Sequence, residues 1–237
     1  GFLNVENLNL VSGPQSLSVN GSNSKNSDDG IIVTLSNIDA SYFSRLWRDQ
    51  ITGIDFKGNA NGHVQMHSLF TVPFISGKMQ IEDLEINNTP LGKAEISSNW
   101  KKESKKIDLS GSLLTGSLTS LKIDGSYFLD TNSLNSFLFD IDVKNFKLKV
   151  FEPFIYPVLT EISKSALATG RLNLTGKFDN PALTGKLMVE RGGFTVPYLN
   201  TSYNFADQVV FLKDRITFEN IVLNDMKGNT AILNGKI

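Results

Sequence analysis

The sequence predicts an all-β fold, an elongated antiparallel-type sheet with one wet face and two short helices. Three observations predict it. Polar and apolar residues alternate with period two in segment after segment, turn signals recur at short regular spacing, and a block of positions repeats at an offset of 108 residues.

Alternation is without exception at Asp140-Ile141-Asp142-Val143-Lys144 and at Phe146-Lys147-Leu148-Lys149-Val150, which read as strands. Arg171-Leu172-Asn173-Leu174-Thr175 follows the same rule, and Lys186-Leu187-Met188-Val189-Glu190 departs from it only at Met188. Period two puts Leu172 with Leu174, and Leu187 with Val189, on one face, leaving Lys, Arg, Asn and Thr on the other. Turns are expected at Asn26-Ser27-Asp28-Asp29-Gly30, Asn87-Asn88-Thr89-Pro90, Asp179-Asn180-Pro181 and 224–229.

Helical spacing appears in two places. In 39–50, Tyr42, Phe43, Leu46 and Trp47 share a face, with Asp39 as the N-cap. In 156–169, Leu159, Ile162 and Ala166 follow helical spacing and Gly170 supplies the stop.

The repeat aligns Gly62-His63-Val64-Gln65-Met66 with Gly170-Arg171-Leu172-Asn173-Leu174. Phe70, Pro73, Gly77 and Leu91 align with Phe178, Pro181, Gly185 and Leu199 at the same offset of 108. Leu121, Ile123 and Gly125 align with Ala231, Leu233 and Gly235, and Leu17-Ser18-Val19-Asn20-Gly21 resembles the segment from Leu121 to Gly125. No Pro/Ser-rich linker separates the copies, which favours one continuous body. Its expected parts are 1–29 as the end of a preceding unit, 30–140 as a first quasi-repeat and 141–237 as a second. Both ends read as cut, so a fragment of a longer chain is expected.

Composition excludes several function classes. The chain has 237 residues, 40% hydrophobic and 20% charged, and its net charge of −1 offers no basic surface for nucleic acid. The absence of cysteine removes disulfides, thiolate nucleophiles and Cys-based zinc sites. No apolar run reaches the ~20 residues of a membrane-spanning helix. The two histidines, His63 and His67, are expected on the surface, about 13 Å apart on a strand and too far to share a metal. Asp140 and Asp142 read as a solvated edge rather than a catalytic pair. No hydrolase, nucleotide-binding or zinc-protease motif occurs. The chain therefore reads as non-enzymatic, with no cofactor and no metal.

The order of elements from Gly170 onward carries a resemblance. A Gly-apolar-x-apolar-x-Gly strand covers Gly170 to Gly176, then come Asn180-Pro181-x-Leu183-x-Gly185 and the strand from Lys186 to Glu190. Gly193-Phe194-Thr195-Val196-Pro197, Tyr203-Asn204-Phe205, Ile216-Thr217-Phe218-Glu219-Asn220 and Gly228-Asn229-Thr230-Ala231 follow in turn. The run resembles the TamB family, the inner-membrane subunit of the translocation and assembly module, within the AsmA-like group. The likeness extends over most of 50–237.

That resemblance implies a sheet curled like a taco shell, with an open apolar groove along its length. It implies a periplasmic segment of a parent anchored in the inner membrane and reaching toward the outer membrane. The implied cargo is phospholipid moving between the membranes. The alternative is a scaffold or chaperone for outer-membrane protein assembly and secretion, with a BamA-type partner. The groove-lining candidates are Val64, Met66, Met79 and Ile81 in the first copy. In the second they are Leu172, Leu174, Leu183, Leu187, Val189, Phe194 and Val196, joined by Phe205, Phe218 and Leu233. A closed sandwich core, as in a passive β-solenoid, uses the same residues. The sequence leaves these arrangements, and lipid against polypeptide cargo, open.

Overall fold

The computed structural model describes residues 1–24, 29–46, 54–69, 74–129, 135–155, 159–177 and 179–236. Expectations at Asn26, Ser27, Asp28, Trp47, Phe70, Pro73 and Phe178 lie outside the described residues.

Among the described residues, alternating sequences separated by turn residues produce fourteen strands. They are β1 (Leu3–Ser12), β2 (Gln15–Asn23), β3 (Gly30–Asp39), β4 (Phe56–His67), β5 (Phe74–Ile86), β6 (Thr89–Lys101) and β7 (Lys106–Thr115). The rest are β8 (Leu118–Phe128), β9 (Phe137–Lys147), β10 (Leu167–Lys177), β11 (Asn180–Val196), β12 (Thr201–Leu212), β13 (Arg215–Asp225) and β14 (Thr230–Lys236). Each pairs antiparallel with its neighbours in sequence, giving one curled sheet in the order β1 to β14 that does not close.

The tight turns follow local chemistry. Asn87 and Asn88 join β5 to β6 with φ of 50° and 59°, the two left-handed positions of a two-residue hairpin. At the β13–β14 turn the Asp225 carboxylate accepts from Asn229 Nδ2, from the Asn229 backbone N–H and from the Lys227 backbone N–H, each at 2.8 Å. These bonds, the Asn229 side chain first, hold its carboxyl below the usual aspartate range.

Cross-strand register carries apolar rows over the whole sheet. One row runs Ile38, Ala60, Ile81, Ala94, Leu113, Leu121, Val143, Gly170, Leu187 and Val209, from β3 to β12. A second passes through Leu10, Leu17, Leu35, Gly62, Met79, Ile96, Gly111, Ile123, Ile141 and Leu172.

The alternation changes phase once within most odd-numbered strands. Asn7, Asn37, Asp83, Asn145, Arg191 and Asn220 have φ between 51° and 55°, each at a register shift in β1, β3, β5, β9, β11 and β13. Each left-handed residue adds one position to its strand, a bulge that bends it and deepens its twist. The face is preserved because the apolar spacing lengthens there from two to three: Leu35 to Ile38, Ile81 to Leu84, Val143 to Phe146, Phe218 to Ile221. Side chains of the next strand satisfy the N–H groups that the bulge displaces. Asn61 Oδ1 accepts from Asn37 N at 2.8 Å, Thr169 Oγ1 from Asn145 N at 3.0 Å, and Asn234 Oδ1 from Asn220 N at 2.7 Å.

Two connections at the same end of the sheet are long. After β3 comes helix α1 (Ser41–Leu46), where Asp39 Oδ1 accepts from Ser41 N at 2.8 Å, the capping role expected of it. After β9 come a 3-10 turn (Leu148–Phe151) and helix α2 (Glu152–Ile155).

The described part of the second helix lies before 156–169. Among its described residues, 159–166 is extended or turned and β10 begins at Leu167. Thr160 exchanges two backbone hydrogen bonds with Thr195, at 2.9 and 2.7 Å, and Ser163 N donates to Gly193 O at 2.8 Å. Pairing to β11 competes for the backbone groups a helix would use. The expected strand from Phe146 to Val150 is corrected as well, because β9 ends at Lys147 and the 3-10 turn takes over.

The hydrophobic core is local. Ala40, Ala60, Ile81, Leu84, Leu91, Ala94, Leu113 and Val150 form one buried cluster, closed from above by Val150 of the 3-10 turn. Val143, Ala168, Leu172 and Leu187 form a second, and Val189, Val209, Ile221 and Leu223 a third.

Two stability outcomes follow from the bulges. Asn145→Val should lower the free energy of unfolding by about 1–2 kcal/mol in denaturant titration, because a β-branched residue is strained at φ of 52°. Arg191→Asn, at the same conformation, should raise it by several tenths of a kcal/mol; an unchanged midpoint for both would separate the bulges from stability. A pH effect follows from Asp225. Its folded value is depressed, so the turn's contribution is complete above the ordinary aspartate pKa and is lost as pH falls through the folded value. NMR titration of the Asp225 carboxyl should show a midpoint below that of a model peptide.

Candidate functional site on the apolar face

All fourteen groove-lining candidates lie on one face. Register links Val64 to Gly77, Met66 to the β5 backbone, Met79 to Ile96, and Ile81 to Ala94. It links Leu174 to Leu183, Gly170 to Leu187 and Leu187 to Val209. Phe194 and Val196 sit at even positions while Leu187 and Val189 sit at odd ones. The Arg191 bulge between them brings both pairs to the same side. Phe194 packs against Tyr203 and Phe205, with ring centroids 6.1 and 6.0 Å apart, and Phe218 and Leu233 join that group.

The structure divides these residues by cover. The row through Ile81 and Leu187 is largely buried, each of the two 8% exposed. The middle rows are covered unevenly: Leu172 is 8% exposed, but the rest keep contact with solvent. Ile96 is 42% exposed, Leu10 is 55% exposed, and Val64, Met79, Ile123, Ile141, Leu174 and Leu183 are half-buried. The apolar face is therefore part core and part open wall. Asp207, opposite Val189 and half-buried, is a charged exception on it, and Ser98 a polar one.

The opposite face is held by polar cross-strand pairs. Arg171 Nε donates to Asp142 Oδ1 at 2.8 Å, Asn173 Nδ2 donates to Asp140, and Ser97 and Ser110 hydroxyls meet at 2.7 Å. Lys122 Nζ lies 2.7 Å from Asp124 Oδ2, a contact that holds the Lys122 ammonium above its usual pKa. Asp140 and Asp142 sit on β9, in the interior of the sheet, and not at an edge. A recess of about 670 Å³ lies among His63, Lys78, Glu95, Ser97, Ser110 and Lys122, with Met79 and Ile96 also in its lining.

The histidines differ. His63 is exposed, with Nδ1 3.0 Å from Thr34 Oγ1. His67 is corrected from a surface residue to a buried one, 8% exposed, with its ring nitrogens 3.2 Å from Asp29 O and 3.2 Å from Ser76 Oγ. Nothing in the alternation distinguishes the two; His67 lies at the end of β4 where adjoining segments cover the strand. Among the described residues no group of three or more His, Asp and Glu side chains is placed to hold a metal ion. No described helix is long and apolar enough to cross a membrane.

Cover also sorts the expected effect of charge. Leu187→Glu places an unpaired carboxylate in the second buried cluster and should cost about 3–5 kcal/mol. Ile96→Glu leaves its carboxylate in water and should shift stability by less than about 1 kcal/mol. Thermal unfolding of the two variants checks the division; equal losses would make the face a closed core.

No family model, curated protein or solved structure matches this chain.

Proposed function

We propose that this chain is a non-catalytic segment of a periplasmic, envelope-spanning protein that shields apolar cargo along its open apolar face. The cargo is phospholipid passing between the inner and outer membranes. The observation that carries the reading is an apolar face continuous over the sheet whose middle rows are left open, with Ile96 at 42% exposure. A closed sandwich would bury those rows. An acyl chain of ~15 carbons loses about 12 kcal/mol of favourable burial if it crosses water bare, at roughly 0.8 kcal/mol per CH₂. Walls of Val, Leu, Ile and Met reduce that cost without a specific polar contact, so they let cargo move on.

A second reading keeps the face and changes the cargo to unfolded outer-membrane polypeptide, with the chain acting as an assembly scaffold beside a BamA-type partner. The observation in its favour is the same set of half-open apolar rows, which would cover an extended apolar polypeptide as well as an acyl chain.

A photo-crosslinker at position 96 separates the two. Phospholipid adducts on the purified chain are the expected result, together with lipid carried into native mass spectrometry and its loss in folded Ile96→Glu. Adducts with polypeptide alone would move the assignment to the scaffold. A folded chain with neither adduct would end the groove reading.

A further inference from the structure

The connections at the two ends of the strands differ in character. At the end that carries the helical connections, successive connections hold large apolar side chains out in water. The β7–β8 turn exposes Leu118, α2 exposes Phe154, the β11–β12 turn exposes Tyr198 and Leu199, and the β13–β14 turn exposes Met226. Tyr198 is 95% exposed and Met226 82%, so neither side chain adds to the packing of the sheet. At the opposite end the β6–β7 turn carries Lys102, Glu103 and Lys105, and the β12–β13 turn carries Lys213 and Asp214. Single exposed apolar residues are ordinary on a protein surface. Repeated along one end of the sheet, they mark a surface of interaction.

The turns that carry these tips draw their hydrogen bonds from within. The β11–β12 connection is a 3-10 turn (Pro197–Leu199). Pro197 has no N–H to satisfy, its carbonyl accepts from Asn200 N at 3.0 Å, and Leu199 O accepts from Thr201 Oγ1 at 2.9 Å. In the β13–β14 turn the N–H groups of Lys227 and Asn229 donate to the Asp225 carboxylate, and that of Gly228 donates to Asp225 O. Leu159 N donates to Ile155 O, and Thr160 pairs with Thr195, which brings the end of α2 beside the β11–β12 turn. A turn that enters hydrocarbon must bond its polar backbone internally, because the lipid offers nothing in place of water. A protein partner makes no such demand, since its own groups complete the turn.

We propose that these tips form an edge that seats on a phospholipid bilayer. Phe154, Tyr198, Leu199 and Met226 enter the boundary between headgroups and acyl chains, and the exposed Lys227 beside Met226 meets the lipid phosphates. Tyrosine suits that depth, because its ring is apolar and its hydroxyl stays with the headgroups. Lysine near the surface adds attraction to anionic lipid. Tips on separate turns fit a fluid surface that adapts to each of them, and several together give reversible, peripheral binding. Phe194 and Val196 of the apolar face lie directly behind the inserted β11–β12 turn. Acyl chains then reach that face without crossing water; this consequence rests on the lipid reading of the groove, and the bilayer contact itself does not.

The chain lacks cysteine, so one introduced thiol carries a polarity-sensitive fluorophore to a chosen place. The probes are vesicles of phosphatidylethanolamine mixed with phosphatidylglycerol, and vesicles of phosphatidylcholine alone. The chain is expected to float with the mixed vesicles. A fluorophore at Leu199→Cys should shift to the blue and lose access to an aqueous quencher, and one at Lys213→Cys, at the opposite end, should do neither. Tyr198→Ser combined with Leu199→Ser should lower vesicle affinity about tenfold or more and leave the thermal midpoint of the free chain unchanged. Lys227→Gln should remove the preference for the mixed, anionic vesicles. The proposal is overturned by a chain that does not float, by flotation that survives the double substitution, or by equal protection at positions 199 and 213. A preference for anionic vesicles that survives Lys227→Gln overturns the part given to the lysine. Self-association in sedimentation equilibrium that the double substitution abolishes, without flotation, would make the occupant a second copy of this chain and overturn the bilayer. Phospholipid adducts at position 96 without vesicle binding would remove this edge and leave the groove reading standing.

Discussion

The molecule depends on one conformational device, a residue held near φ of 53° in almost every odd-numbered strand. A long antiparallel strand that kept strict alternation would stay nearly straight. One added left-handed residue bends it and swaps the parity of all that follows. Unless the sequence lengthens its apolar spacing at the same point, half the strand would turn its apolar side chains to water. The chain makes that adjustment six times, and an Asn, Asp or Arg sits at each bulge. Asparagine suits the place because its short polar side chain tolerates the left-handed region. β7 shows the same need met differently. Its pairing shifts against β8, and buried Ser120 fills the irregularity, bonding to Thr115 Oγ1 and to Leu113 O.

This explains what was legible in the sequence and what was not. Period two and turn chemistry were enough for an all-β antiparallel sheet, because those signals are local. The phase slips were also written in the chain, though as interruptions. Asp140 to Lys144 and Phe146 to Val150 each alternate cleanly and look like separate strands. The first belongs to β9 and the second only begins in it; the slip at Asn145 is the join. Phe194 and Val196 could be grouped with Leu187 and Val189 from their hydrophobicity, but only the Arg191 bulge shows why opposite parities share a face.

What escaped the sequence depends on contacts distant in the chain. The helical spacing of Leu159, Ile162 and Ala166 is real, but Thr195 and Gly193 claim the backbone of that segment for pairing. Leu187 and Ile96 are equally apolar and lie on the same face, one row apart. One is buried and the other open because the connection from β9 to β10 folds over only one end of the strands. It is pinned there by Asn87 Nδ2 donating to Val150 O at 2.9 Å, next to Lys147 Nζ at the end of β9 donating to Pro90 O. Burial of His67 has the same origin in neighbouring segments.

A single sheet with one partly open apolar face must also be kept from shifting its register or turning that face inward on a second layer. The polar face opposes register slip. Arg171 with Asp142, Asn173 with Asp140, Ser126 with Asp108 and Ser97 with Ser110 are each opposite or nearly opposite across a strand pair. Each such exposed pair contributes only a few tenths to about 1 kcal/mol. A one-residue shift, however, breaks a pair at each affected strand and places charged groups on the apolar side, where none has a partner. The penalty therefore grows with every strand in the shifted segment, while the gain from covering a half-open row remains small. Weak polar pairs repeated across the sheet can thus hold an apolar surface open, a state that no single strong contact in the molecule would maintain.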